Sequence, residues 1–139
     1  MKQSDFEFTP PRLIRLAFQE NGGFLKEKFH GITLNSTTTV NRSESSNHAS
    51  VQLDFLVGRK TEEEPFFAEA SMVTNIRWEG DYEEETVEAI LSSNAPALLL
   101  SYLRPLISTV TGSSHFSHFD IPFLDFTDNK AVMQKPGGE

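Results

Sequence analysis

The apolar residues of this chain change their spacing near Gly80, from every second residue to every third or fourth. Apolar and polar residues alternate over 51–57 and again from Phe66 to Trp78, whereas from Val87 to Val110 the apolar residues recur at helical spacing. Alternation is typical of a strand with one buried face, and the longer period is typical of an amphipathic helix. The sequence therefore predicts an antiparallel sheet followed by helices that cover one of its faces.

Four segments carry the two-residue period before Gly80. It is clearest in SVQLDFLVG and in the long run from Phe66 to Trp78, and it also occurs in RLIRLAFQE and, more weakly, in ITLNSTTTV. The segments NGG, NRSESSNH and RKTEEEP lie between them and are typical of turns and polar connections. We therefore predict four antiparallel strands within residues 12 to 79.

The helical part is predicted to run from about residue 82 to Gly112, with an interruption at SSNAP. Pro105 falls inside it and has no N–H for the Ser101 carbonyl, so a kink is expected there. We place these residues on the buried stripe: Leu99, Leu103, Leu106 and Val110. We place these on the polar stripe: Ser101, Arg104, Ser108 and Thr111. The predicted fold is α+β, a four-stranded antiparallel sheet with a long kinked helix packed on one face.

Length and composition exclude several classes of protein. A chain of 139 residues predicts a single domain over 1–139, with flexible ends at 1–10 and 131–139. The formal charge of −8 disfavours nucleic acid and membrane headgroups as partners. No apolar run is long enough to span a membrane, and MKQSDFEFTPP lacks the apolar stretch of a signal peptide. We therefore expect a cytoplasmic protein with no membrane insertion.

The sequence contains no motif for catalysis. A nucleophile motif, a glycine-rich phosphate loop and a paired acid and base are all missing, so we expect no enzyme and no cofactor. The segment HFSHFD holds His115, His118 and Asp120, but a metal site also needs a fixed geometry, and we expect no metal. Among the aromatic residues, twelve are Phe, which has no polar atom and serves apolar contact.

The segment NAPALLLSYLRPLISTVTG, followed by FSHFDIPFLDF and preceded by four predicted strands, resembles the SecB family of export chaperones. Pro96, Tyr102 and Arg104 stand where that family has its proline and aromatic-plus-arginine signature, and Gly112 matches its helix-ending glycine. Residues 116–126 resemble the loop that connects the helices of the family. The resemblance implies an ATP-independent holdase that binds unfolded or precursor polypeptides and assembles as a dimer or tetramer.

The chain departs from the family pattern at its end. Family members normally add a second helix and an acidic tail that helps to engage the SecA motor, whereas here NKAVMQKPGGE follows the loop. The resemblance therefore implies the fold and the holdase activity more firmly than a contact with the motor.

The resemblance also implies where clients bind, because the family holds them in apolar grooves lined by the connection after the first strand and by the loop after the long helix. Those positions correspond to GGFLKEKF and HFSHFDIPF here. The candidate client-binding residues are Phe24, Phe29, Phe116, Phe119 and Phe123. The candidate residues for contacts between subunits are Phe67, Trp78, Leu99, Leu103 and Leu106. Alternatives stay open for them: the leucines pack on the sheet or on a neighbouring subunit's helix, Trp78 is core or interface, and Phe67 lies at a sheet edge or contacts another chain.

Two other functions are compatible with the same residues. The chain could be an interaction module of this fold with one dedicated partner, or a small-ligand-binding protein or enzyme with an open sheet. Binding of many unrelated clients separates a holdase from a dedicated module, and stabilisation by one small molecule would support the third alternative.

Overall fold

A computed structural model describes residues 1–2, 4–43 and 46–134. The strands are β1 (Phe6–Phe8), β2 (Arg12–Glu20), β3 (Leu34–Asn41), β4 (His48–Gly58), β5 (Phe66–Trp78) and β6 (Val132–Gln134). The helices are α1 (Glu84–Ala89) and α2 (Ala95–Gly112), joined by a π-helical turn over Ile90–Asn94, and a short 3₁₀ turn covers Lys26–Lys28. Within these described residues, no helix is both long and apolar enough to cross a membrane.

All four predicted strands are present, as β2 to β5, but within the described ranges the sheet has six strands rather than four. β5 lies between β4 on one side and both β1 and β2 on the other, and β3 pairs with β4 and, in parallel, with β6. The count was wrong because β1 and β6 are three residues each, too short for a period to be read. Both lie in the ends predicted to be flexible; residues 135–139 of that prediction lie outside the described residues.

One face of the sheet carries the core, and α2 packs over β4 and β5. The alternating residues of β4 and β5 that point to the helix, such as Leu53 and Phe55, are buried. The opposite face is polar at its centre, where Ser71 Oγ and Gln52 Nε2 donate to Asp54 Oδ1 at 2.5 and 2.9 Å. The sheet therefore has one covered and one open face, as the alternation predicted.

The buried stripe of α2 is rotated from the predicted one. Leu99, Leu103 and Ile107 are fully buried, and so is Thr111, which we had placed on the polar stripe. Leu106 and Val110 are only half-buried. Thr111 is tolerated inside because its Oγ1 donates to the Ile107 carbonyl and accepts the Phe119 N–H, both at 2.7 Å.

Pro105 lies within α2 on its exposed side, and the helix continues through it to Gly112. The bend expected at this proline stays a prediction. The interruption expected at SSNAP takes the form of the π-helical turn, through which the helical path continues.

Asn129 holds the segment after α2 against both layers. Because Pro96 has no N–H, the Ser92 carbonyl lacks its usual α-helical donor, and Asn129 Nδ2 donates to it at 2.8 Å. The same amide nitrogen donates to Thr38 Oγ1 on β3 at 3.0 Å.

We expect Asn129→Ala to lower the free energy of unfolding by about 1–3 kcal/mol, because buried acceptors on both layers lose a donor. Urea denaturation measures the change, with Asn35→Ala as the control, since Asn35 is exposed on β3. An equal loss in the two variants would contradict this role of Asn129.

Candidate functional site

Aromatic rings gather where the connection after β2 meets the loop after α2. The Phe24 ring lies 6.1 Å from that of Phe29 and 5.9 Å from that of Phe116, measured between centroids and with the rings edge to face. Phe66 lies 6.4 Å from both Phe116 and Phe119. We call these five residues the aromatic cluster. It brings together four of the five predicted client-binding residues.

Exposure rises across the aromatic cluster from the core outward. Phe66 belongs to the core at 2% exposed, Phe116 and Phe119 are half-buried, and Phe29 is 43% exposed. Leu25, beside Phe24 in the chain, is 37% exposed. The cluster therefore presents an apolar surface to solvent while its base is fixed in the core.

The loop after α2 is held in place by hydrogen bonds to two elements. The His115 N–H donates to Glu20 Oε2 at the end of β2, at 2.7 Å, and the Phe119 N–H donates to Thr111 on α2. Phe116 and Phe119 therefore have fixed positions between the sheet and the helix. Since both rings also pack on Phe66, their removal is expected to weaken the fold as well as the surface.

Phe123 does not belong to the aromatic cluster. Its side chain is 90% exposed, and within the described part of the chain it forms no ring pair with another aromatic residue. Ile121 and Phe126 on either side are buried, and Arg104 donates to the Ile121 and Pro122 carbonyls at 3.2 and 2.8 Å. Four of the five predicted client-binding residues therefore belong to the aromatic cluster, and Phe123 lies apart from it.

Three of the five predicted interface residues lie inside the chain's own core. Leu99 and Leu103 are fully buried, and Trp78 is 4% exposed, stacked 5.2 Å from Phe6 and covered by the Arg42 guanidinium at 5.1 Å. Side chains buried this deeply are not available to a second chain. Of the two alternatives for these three residues, core or interface, the structure favours the core, and Phe6 in β1 supplies the ring that covers Trp78. Two of the predicted residues are half-buried: Phe67 and Leu106.

The sequence reading did not single out β2 as an exposed apolar edge. Leu13, Ile14 and Leu16 are each between 38% and 48% exposed, because among the described residues β2 pairs only with β5. A bulge between Leu13 and Arg15 makes Leu13, rather than Ile14, pair with Met72 of the core. The apolar content of RLIRL was visible in the sequence, but its place at an edge depends on strand order.

In the part of the chain that the structure describes, the polar groups away from the aromatic cluster do not form a metal site. His118 Nε2 and Asp120 Oδ2 lie 3.2 Å apart, both largely exposed. Among the residues that the structure describes, no three His, Asp or Glu side chains come together as metal ligands. An open cleft of about 770 Å³ lies away from the aromatic cluster, at the ends of β1, β4 and β5, and includes His48, Asn75 and Arg77.

The fold is similar to that of a solved SecB-like chaperone. This is the Mycobacterium tuberculosis SecB-like chaperone in complex with a ChAD peptide from an antitoxin; the TM-score is 0.68 and the identity 15%, over 86% of this chain and 91% of that one. A protein of unknown function from Streptococcus agalactiae is similar with a TM-score of 0.50 and 17% identity, over 85% and 97%. No protein-family model and no curated protein matches the sequence. The structural likeness confirms the SecB-like fold.

Proposed function

We propose that this chain is an ATP-independent holdase that binds extended apolar segments of unfolded polypeptides at the aromatic cluster. The observation that carries the proposal is the convergence of Phe24, Phe29, Phe116 and Phe119 from two distant connections onto one partly exposed surface. The likeness to a chaperone in complex with a peptide supports it.

The chemistry of this surface suits many different clients. Phenylalanine offers a large apolar area and no hydrogen-bonding group, so contacts with it do not select among apolar side chains by direction. Phe29 and Leu25 are exposed at its outer edge, where a segment of an unfolded chain would cover them. In this proposal the protein acts by binding alone, in the cytoplasm, without nucleotide, metal or cofactor.

A module for one dedicated partner is the second candidate. The Mycobacterium tuberculosis chaperone is described with a peptide from an antitoxin, a single defined protein. In that case the same aromatic cluster would bind one segment of one partner. Delivery of precursors to an export motor is a further form of the holdase proposal.

We expect the protein to suppress aggregation of several unrelated unfolded proteins without ATP. Phe29→Ser should weaken this suppression roughly tenfold, because it removes the most exposed ring of the aromatic cluster. Phe123→Ser is the matched control, since it removes an even more exposed ring outside the cluster. Light scattering during client aggregation measures both, with melting temperatures recorded to show that the variants are folded.

Two results would count against this proposal. Suppression of only one client among many would favour the dedicated module. Equal suppression by Phe29→Ser and the unchanged protein, with loss in Phe123→Ser, would place the client site around Phe123 instead.

We also propose that the chain forms a homo-oligomer, a dimer or tetramer, through the exposed edge of β2. Strand edges with unpaired backbone groups and apolar side chains are the usual places for a second chain to add, and Leu13, Ile14 and Leu16 supply the apolar contact. Multi-angle light scattering at micromolar concentration should give at least twice the 15.6 kDa chain mass. Ile14→Lys should shift the mass toward one chain, and a single-chain mass for the unchanged protein contradicts the proposal.

A further inference from the structure

The charged turn over residues 59–65 anchors the connection that carries Phe24 and Phe29. We call residues 21–33 the crossover segment. Its first residue, Asn21, donates from Nδ2 to the Arg59 and Glu64 carbonyls at 2.6 and 2.9 Å, and from its backbone N–H to the Pro65 carbonyl at 2.9 Å. The Leu25 N–H donates to the Glu62 carbonyl at 2.8 Å. The start of the crossover segment is therefore fixed to this turn.

The far end of the crossover segment is fixed by the Glu64 side chain and by a backbone bond, in which the Gly58 N–H donates to the Thr33 carbonyl at 2.7 Å. The two carboxylate oxygens of Glu64 accept from Thr33, Oε1 from the backbone N–H and Oε2 from the hydroxyl, both at 2.7 Å. The Glu64 side chain is 6% exposed, and Arg59 Nε lies 3.9 Å from Oε2. A carboxylate removed from water this far is costly unless its oxygens are paired, and here both are.

The other two glutamates of the turn, Glu62 and Glu63, are exposed. Glu62 is about half exposed and pairs with Lys28 in the middle of the crossover segment, which raises the pKa of the Lys28 ammonium through the hydrogen bond and the charge of that carboxylate. Ion pairs between exposed side chains contribute little to stability. Glu63 lies on the surface of the turn. Glu64 is therefore the buried side chain of this turn that joins it to the far end of the crossover segment.

We propose that Glu64 is a positioning residue for client binding: it fixes Thr33, and through the crossover segment it orients Phe29 and Phe24 toward Phe116. It contacts no client itself.

Without the Glu64 carboxylate, the Thr33 carbonyl still accepts the Gly58 N–H at 2.7 Å, but the Thr33 N–H and hydroxyl lose their acceptor. The Lys28–Glu62 pair in the middle of the crossover segment is exposed and holds it weakly. Phe29, which lies between the two ends, is then less firmly constrained toward the aromatic cluster. This inference rests on the proposed function, and it adds that the acidic turn has a role beyond that of a solvated loop.

Substitutions at Glu64 separate this role from general stability. Glu64→Ala removes both acceptors, whereas Glu64→Gln keeps the shape, accepts the Thr33 N–H and can donate to the Thr33 hydroxyl. Glu63→Ala is the control on the same turn. Thr33→Val removes only the hydroxyl and provides a second variant if Glu64→Ala does not fold.

The experiment combines hydrogen exchange of the crossover segment with binding of a fluorescein-labelled extended peptide rich in Leu and Phe, below the melting temperature of every variant. We expect Glu64→Ala to speed exchange over residues 24–33 and to weaken peptide binding, each roughly tenfold. Glu64→Gln should restore both values, and Glu63→Ala should change neither. Thr33→Val should show the same two changes to a smaller extent.

Each outcome has a distinct meaning. Faster exchange with unchanged peptide affinity overturns the positioning role, as does an affinity loss that Glu64→Gln does not restore. If the unchanged protein binds no peptide, the proposed function fails, and the positioning role for binding fails with it. Exchange that stays slow in both Glu64→Ala and Thr33→Val shows that the anchor itself is wrong, whatever the peptide does.

Discussion

Replacing Gly58 by alanine is expected to lower the free energy of unfolding by several kcal/mol or to prevent folding. Gly58 ends β4 with φ of +81°, a left-handed conformation that costs a residue with a side chain about 1–2 kcal/mol. A Cβ atom there would lie 2.1 Å from the Phe66 carbonyl oxygen, so β4 and β5 would also have to separate. Guanidinium denaturation followed by circular dichroism measures the loss.

Gly31→Ala is the matched control for this prediction. Gly31 also has positive φ, at +123°, but a Cβ atom at this position would meet nothing within 4 Å. The difference between the two variants therefore isolates the clash with the Phe66 carbonyl. Equal losses in Gly31→Ala and Gly58→Ala would show that β4 and β5 are not as close as the structure places them.

Leu103→Ala is expected to cost about 2–5 kcal/mol of unfolding free energy, because it leaves a cavity between α2 and the sheet. Leu106→Ala, on the half-buried side of the same helix, should cost clearly less. The comparison also separates a core residue from an interface residue. A core loss is the same at every protein concentration, whereas an interface loss changes with concentration and with the mass of the assembly.

Concentration-independent destabilisation by Leu103→Ala is the result that the observed burial predicts. A variant with unchanged unfolding free energy but a smaller assembly would return Leu103 to the interface suggested by the resemblance.

The strands of the sheet were predictable where apolar and polar residues alternate along the sequence. β3, β4 and β5 each present one buried face, and their bounds agree with the segments read from the sequence to within a few residues. β2 was also located, but its bulge brings Leu13, rather than Ile14, opposite Met72. The alternation of residues within β2 cannot reveal a bulge, because a bulge is defined by how β2 pairs with its partner strand β5.

The register of α2 was harder to predict because two apolar stripes compete on this helix. Leu106 and Val110 continue the spacing from Leu103 as well as Ile107 and Thr111 do. The observed choice depends on the loop after α2, whose Phe119 N–H satisfies the Thr111 hydroxyl. Such a long-range partner leaves no trace in the local pattern.

Four residues of the aromatic cluster were predicted from the family resemblance together with composition. Phe66, at the base of the cluster, could not be predicted from either. Phe24 and Phe116 are far apart in sequence, and their contact requires the crossover segment to fold toward α2. The resemblance supplied these two connections but also included Phe123, which lies beyond the buried Ile121 and points to solvent. The role of Glu64 was hidden because TEEEP reads as a solvated turn until the burial of one of its three carboxylates is known.

Photo-crosslinking tests the central claim, that clients bind at the aromatic cluster, most directly. An extended peptide rich in Leu and carrying one benzoylphenylalanine is bound to the unchanged protein and irradiated, and the crosslinked residues are located by mass spectrometry. We expect crosslinks within residues 24–29 and 116–119, lost when an unlabelled unfolded protein competes and reduced in Phe29→Ser. Crosslinks that instead concentrate on β2 or around Phe123, and that persist in Phe29→Ser, would contradict it.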